Sequence, residues 1–113
     1  MRIIGGQYRR TPLAVLDAPG LRPTPDRVRE TLFNWLNHMW QGDFASRRVL
    51  DLFAGTGALG LEAASRGAAH VTLVEADRRV LAALRQSVQR LGAGQVTVAG
   101  RDAAAFVAEA AGA

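Results

Sequence analysis

The chain has 113 residues and a formal net charge of +4, and all 14 of its basic side chains are arginine. That length holds one domain, and 49% hydrophobic with 21% charged residues is the balance of a globular protein. No apolar run reaches the roughly 18 residues of a membrane span; the absence of cysteine excludes disulfides, thiolate metal sites and thiol catalysis.

Residues 1–16 place Ile3-Ile4 and Leu13-Ala14-Val15-Leu16 on either side of a turn-rich centre containing Gly5-Gly6 and Arg9-Arg10, which predicts a β-hairpin or extended arm. No long apolar segment follows Met1-Arg2, so a secretory signal is not expected, and the cytoplasm is the default compartment. Pro19, Gly20, Pro23 and Pro25 mark residues 17–25 as loop. A helix then begins, with Thr24 as its cap, Pro25 at its first helical position and an apolar face of Val28, Leu32, Phe33, Leu36 and Trp40; Gly42-Asp43 ends it. Phe33, Trp35 and Trp40 at this spacing read as core rather than as base-stacking surfaces. Residues 1–50 hold eight arginines against four acids, whereas residues 51–113 hold six of each. The net charge therefore sits in the first half, where guanidinium groups suit either phosphate recognition or a solvated surface.

From residue 49 strand and helix alternate. Val49–Phe53 predicts a buried strand, Ala58–Arg66 a helix stopped by Gly67, and His70–Glu75 a second strand. Asp77 caps a second helix with Val80, Leu81, Leu84, Val88 and Leu91 on one face and Gly92 at its end. Gln95–Ala99 is a third strand, and Asp102 opens an alanine-rich last helix. Three βα units in succession predict a parallel sheet with right-handed crossovers and strand order 3-2-1, the first half of a Rossmann-like sheet. Two regions follow: a basic arm and helix over 1–45, and a nucleotide-binding half-sheet over 46–113.

Asp51-Leu52-Phe53-Ala54-Gly55-Thr56-Gly57-Ala58-Leu59-Gly60 contains G-x-G-x-x-G between a strand and a helix. Gly55 serves the tight turn, Gly57 the approach of a ligand to the backbone, and Gly60 the packing of helix on sheet. Glu75 ends the second strand twenty residues after Gly55, where a carboxylate accepts from ribose hydroxyls. NAD and S-adenosylmethionine both fit such a pair. Asp51 favours the second, because a carboxylate repels a pyrophosphate but attracts an ammonium and a sulfonium; its plainer role is to accept loop amides. Asp102 stands where it can accept an adenine amine, cap the last helix, or both. Glu62 either braces the loop or faces solvent. His38 and His70 lie far apart, so no metal site is expected.

Ile3-Ile4-Gly5-Gly6, the stretch Leu21-Arg22-Pro23-Thr24-Pro25-Asp26-Arg27-Val28-Arg29-Glu30-Thr31-Leu32-Phe33-Asn34 and the run Asp51 to Ala63 together resemble the RsmD family of bacterial methyltransferases. The resemblance spans essentially the whole chain. It implies an α/β, class I S-adenosylmethionine-dependent methyltransferase fold, here truncated after about three βα units, and methylation of the exocyclic N2 of a guanine in 16S ribosomal RNA. The substrate would be the small ribosomal subunit or its assembly intermediate, and the full-length enzyme a monomer without metal. Cofactor contacts fall on Asp51, Phe53, Gly55, Gly57, Glu75 and Asp102, and RNA contacts on Arg2, Arg9, Arg10, Arg22, Arg27 and Arg29. Arg27 and Arg29 alternatively organise the cofactor pocket. The family's catalytic D/N-P-P-F/Y motif is missing, since the prolines are Pro12, Pro19, Pro23 and Pro25. No catalytic residue is therefore assigned, and the chain reads as the N-terminal part of a longer enzyme. A complete, non-catalytic RNA- or nucleotide-binding module and a nicotinamide-dependent oxidoreductase are the alternatives.

Overall fold

The computed structural model describes residues 1–13 and 25–112. The expected Thr24 cap and Arg22 lie outside them. The elements run α1 (Asp26–Met39), β1 (Arg48–Asp51), α2 (Ala58–Ser65), β2 (His70–Glu75), α3 (Arg78–Leu91), β3 (Val96–Gly100) and α4 (Ala103–Gly112). The three strands form one parallel sheet in the order β1-β2-β3, as the βα alternation predicts. In register, Asp51 stands opposite Leu73 and Glu75 opposite Gly100. All three strands thus send their C-terminal ends to the same edge of the sheet. No helix among the described residues is long and apolar enough to cross a membrane.

Local chemistry sets most element ends. Asp77 accepts from the N–H groups of Arg79 and Val80 and caps α3, while Gly92, with φ of 63°, closes it. The first strand is shorter than its apolar run suggests. Asp51 Oδ1 accepts from Phe53 N–H at 3.2 Å, and Ala54 N–H turns back to Val74 O at 3.0 Å. This side-chain turn ends the ladder at Asp51. Leu52 and Phe53 leave the strand, and Phe53 is 82% exposed rather than buried.

One core joins the arm, α1, α2 and the sheet: Ile3, Leu13, Phe33 and Phe44 cluster with Leu61, Ala64, Val71, Leu73 and Leu84. The face of α1 that enters it is the expected one with one exchange: Leu32, Phe33, Leu36 and Trp40 pack into the core, but Val28 is exposed and Arg29 is buried. Arg29 and Phe33 are buried and Leu36 and Trp40 half-buried, at i, i+4, i+7 and i+11, whereas Val28, Trp35 and Met39 are exposed. Trp35 is therefore not a core residue. Phe33 and Trp40 pack on Phe44, with ring centroids 6.3 and 5.2 Å apart.

Among the described residues β1 pairs only with β2. Its other side opens into an apolar groove of about 350 Å³ lined by Leu32, Leu36, Trp40, Leu50, Leu52 and Phe53, among others.

The arm is a hairpin-like loop. Arg2 bridges to Pro12, Arg10 N–H donates to Ile3 O at 2.7 Å, and Leu13 N–H donates to Met1 O at 2.8 Å. It packs along α2. Glu62 of α2 is wholly buried; its carboxylate accepts from Ile4 N–H at 2.8 Å, Gly5 N–H at 2.9 Å and Arg66 Nε at 2.9 Å. Arg29 approaches the same carboxylate at 3.7 Å.

Helix α2 lies close on the sheet at Gly60, where a Cβ would overlap Leu73 Cδ2 beneath it. Gly60→Ala is expected to destabilise the chain. Overpacking of about 1–3 kcal/mol outweighs a helix-propensity gain of about 0.8–1 kcal/mol. Urea denaturation checks this, and Leu73→Val, which removes the offending methyl, should recover part of the loss.

Candidate functional site

The sheet edge at the C-terminal strand ends carries the site. In a parallel sheet each strand end there meets a loop and then a helix N-terminus, so loop backbone and helix amides converge on one place. Here β1 ends in Asp51, β2 in Glu75, and β3 is followed two residues on by Asp102. With adjacent strands about 4.8 Å apart, the three acids span about 10 Å.

Glu75 is the organising residue. One carboxylate oxygen accepts from Gly55 N–H at 2.8 Å and the other from Asp77 N–H at 2.9 Å. It thereby ties the glycine turn to the head of α3 and still has lone pairs for a ligand. The turn itself needs glycine, with φ of 57° at Gly55 and 92° at Gly57. Gly57 is also a packing position. A Cβ there would press on Leu61 Cδ1 and Leu84 Cδ1, each at 2.8 Å, so the missing side chain makes room for the core.

Asp51 is half-buried at the same edge. Burial pushes its carboxyl above the usual aspartate value of 3.8; hydrogen bonds from Phe53 and Gly60 N–H work against the rise, and the nearby Glu75 charge adds to it. Asp102 is exposed and accepts from Ala105 N–H at 3.1 Å, so it caps α4. Phe53 stands exposed two residues past Asp51, its ring free of the core. The geometry gathers Asp51, Phe53, Gly55, Gly57, Glu75 and Asp102 along this edge. Its negative charge suits a cationic ligand with hydroxyl groups and disfavours a pyrophosphate.

The arginines divide. Arg2, Arg9, Arg10 and Arg27 are exposed. Arg29 is not available to a phosphate: its side chain is 0% exposed, paired with Asp26 at 2.9 Å, donating to Arg2 O and facing Glu62. A guanidinium held in this way inside the fold cannot reach a phosphate on the surface. Glu62 serves the arm rather than the glycine loop. The Glu62–Arg66 pair at i, i+4 is legible in the sequence as a helix-face ion pair, but the burial of Arg29 is not. Only its place one turn before Phe33 hints that it shares the buried stripe.

The raised Asp51 carboxyl gives a stability test. Its protonated form favours the folded chain, so this contribution is complete below pH 3.8 and is lost as pH rises through the raised value. At neutral pH the ionised carboxylate destabilises. Asp51→Asn, which can still accept from Phe53 N–H, is expected to raise Tm near neutral pH, with the gain shrinking toward pH 3.8. Thermal melts across that range check it.

Comparison with known proteins bears on the family and the fold. The family described as conserved hypothetical protein 95 matches residues 1–113. The chain is 52% identical over 109 residues to the ribosomal RNA small subunit methyltransferase D of Escherichia coli K12, covering 96% of this chain and 53% of that protein. A solved hypothetical protein of Thermus thermophilus superposes with a TM-score of 0.84 at 40% identity, over 97% of this chain and 60% of that one. Coclaurine N-methyltransferase, solved with N-methylheliamine and SAH, shares the fold at a TM-score of 0.54 and 20% identity, over 88% of this chain and 29% of its own. The chain spans about half the length of the curated relatives it matches. With a half-sheet of class I methyltransferase type and a family match over its whole length, the chain belongs to the conserved hypothetical protein 95 family, the RsmD family.

Proposed function

We propose that this chain supplies the cofactor site and part of the RNA surface of an S-adenosylmethionine-dependent methyltransferase of small-subunit ribosomal RNA, and that the reaction methylates the exocyclic N2 of a guanine. The observation that carries the reading is the set of acids at three successive strand ends around the glycine turn. The donor set fits the cofactor. Glu75 would accept from the ribose hydroxyls, Asp51 would offset the ammonium and sulfonium charges, and Asp102 would accept from the adenine amine. Gly55 and Gly57 line the pocket with backbone, and Phe53 covers it. Binding a cation beside Asp51 also offsets the desolvation and Glu75 repulsion that raise its carboxyl. The name of the Escherichia coli relative and the exposed Arg2, Arg9, Arg10 and Arg27 support ribosomal RNA as substrate. Arg22, outside the described residues, belongs to the same proposal.

When bound, the cofactor supplies an electrophilic methyl group on sulfur. The chain's part is to hold and orient it, so that in-line attack by a guanine amine becomes a matter of positioning. The target base must leave any stack to reach that point. The sequence contains no Asp-Pro-Pro or Asn-Pro-Pro to orient the amine.

Glu75→Ala removes the ribose acceptor and is expected to cost about 1.5–3 kcal/mol of cofactor affinity, roughly ten- to hundredfold. Isothermal titration with S-adenosylhomocysteine measures it, and a melt of the variant separates loss of affinity from loosening of the Gly55 turn. Unchanged affinity, or tighter binding of NAD, would overturn the cofactor assignment.

The 113 residues alone are expected not to methylate RNA. A radiolabelled methyl-transfer assay on small-subunit particles should show no incorporation above background. Steady turnover would mean that another group in the chain orients the amine.

A further inference from the structure

The arm is held to α2 by more than apolar contact. Glu62 receives the adjacent N–H groups of Ile4 and Gly5, one on each carboxylate oxygen. Ser65, one turn on and 2% exposed, works on the next residues: its Oγ accepts from Tyr8 N–H at 2.9 Å and donates to Gly5 O, and its carbonyl accepts from Gln7 N–H at 2.7 Å. Gly6 lies so close that a Cβ would overlap the Ser65 carbonyl. Residues 4 to 8 are therefore fixed through backbone groups, leaving the side chains that follow them free. Those are Arg9 and Arg10, both exposed. Residues 1–13 contain three arginines and no acid.

Arg10 adds an independent observation. Its φ is 69°, in the left-handed region where glycine would sit without strain. The bond from its N–H to Ile3 O, at 2.7 Å, holds it there. The backbone of Arg10 is therefore fixed as well, and its side chain leaves the loop in one set direction. A loop that is already ordered gives up less conformational entropy when a ligand binds its tip.

We propose that Glu62 and Ser65 are positioning residues for RNA binding: from inside the fold they lock the arm so that Arg9 and Arg10 are presented together to RNA phosphates. The proposal rests on the reading of the arm as an RNA-binding element. Neither Glu62 nor Ser65 touches RNA or cofactor; both act through the arm backbone.

The test compares the intact chain with Ser65→Ala, Glu62→Gln and the pair Arg9→Ala/Arg10→Ala. Each is titrated with deproteinised small-subunit ribosomal RNA across a salt series, and separately with S-adenosylhomocysteine. Ser65→Ala is the milder change, because it leaves Arg29 and Arg66 paired. The arginine pair should lower the salt slope by about 1.4–1.8, two phosphate contacts' worth. Ser65→Ala and Glu62→Gln should weaken RNA binding and lower the slope in the same way, and should add little when combined with the arginine pair. Cofactor affinity should stay within about twofold of the intact chain, well below a tenfold change of about 1.4 kcal/mol. If the arginine pair changes neither affinity nor slope, the RNA reading of the arm fails and the proposal with it. If the pair weakens binding while Ser65→Ala and Glu62→Gln keep the intact slope, the positioning role alone is overturned. Parallel loss of RNA and cofactor binding in Ser65→Ala would also overturn it, since that is the mark of a general structural role.

Discussion

A single buried carboxylate holds the first half of this chain to the second. Removing a charged group from water costs several kcal/mol unless partners replace the lost hydration. Glu62 is fully supplied: two backbone N–H groups from the arm, the Arg66 side chain on its own helix and the Arg29 guanidinium from α1. These partners come from three parts of the chain, so the carboxylate is satisfied only when arm, α1 and α2 are assembled. The requirement is mutual. Arg29 is itself wholly buried, and without Glu62 and Asp26 it would be an unpaired charge in the core. Arg66 adds a second layer, its guanidinium lying 5.1 Å from the Phe33 ring centroid on α1. Such a network contributes little net stability against a hydrophobic replacement, but its loss in part is severe. It specifies one docking of the arm rather than an ensemble of them.

The opposite end of α2 shows the reverse arrangement. There Asp51 is held half-buried beside Glu75 and is destabilised by both conditions. The folded chain tolerates this because the loop amides of Phe53, Gly55 and Asp77 share the two carboxylates. Negative charge is left there without a full set of partners. Helix α2 thus has one satisfied acid on its flank and faces a second, under-satisfied one at its head.

The open side of β1 gives the half-sheet its other distinctive property. Leu50 and Phe53 are exposed beside the groove under α1, and the strand has a neighbour on one side only among the described residues. An unpaired edge flanked by apolar surface favours association with further chain. The relatives that share this family are about twice as long as the matched segment.

Much of this was determined by local sequence. The βα alternation, the Asp77 and Asp102 caps and the G-x-G-x-x-G turn act within a few residues, so strand order and the line of acids at the strand ends follow from the chain itself. The side-chain turn at Asp51 was equally local, yet the apolar run through Phe53 concealed it. Only the tertiary structure decided that Arg29 joins the buried face of α1. Val28 and Trp35 have the apolar character of core residues, but Arg29 is the residue buried, because its charge finds Glu62 on a helix more than thirty positions away. The fate of each arginine was likewise a tertiary matter. Arginine in a sequence reads the same whether it meets phosphate or a buried carboxylate, and the difference lies in which charged partner the fold brings near it.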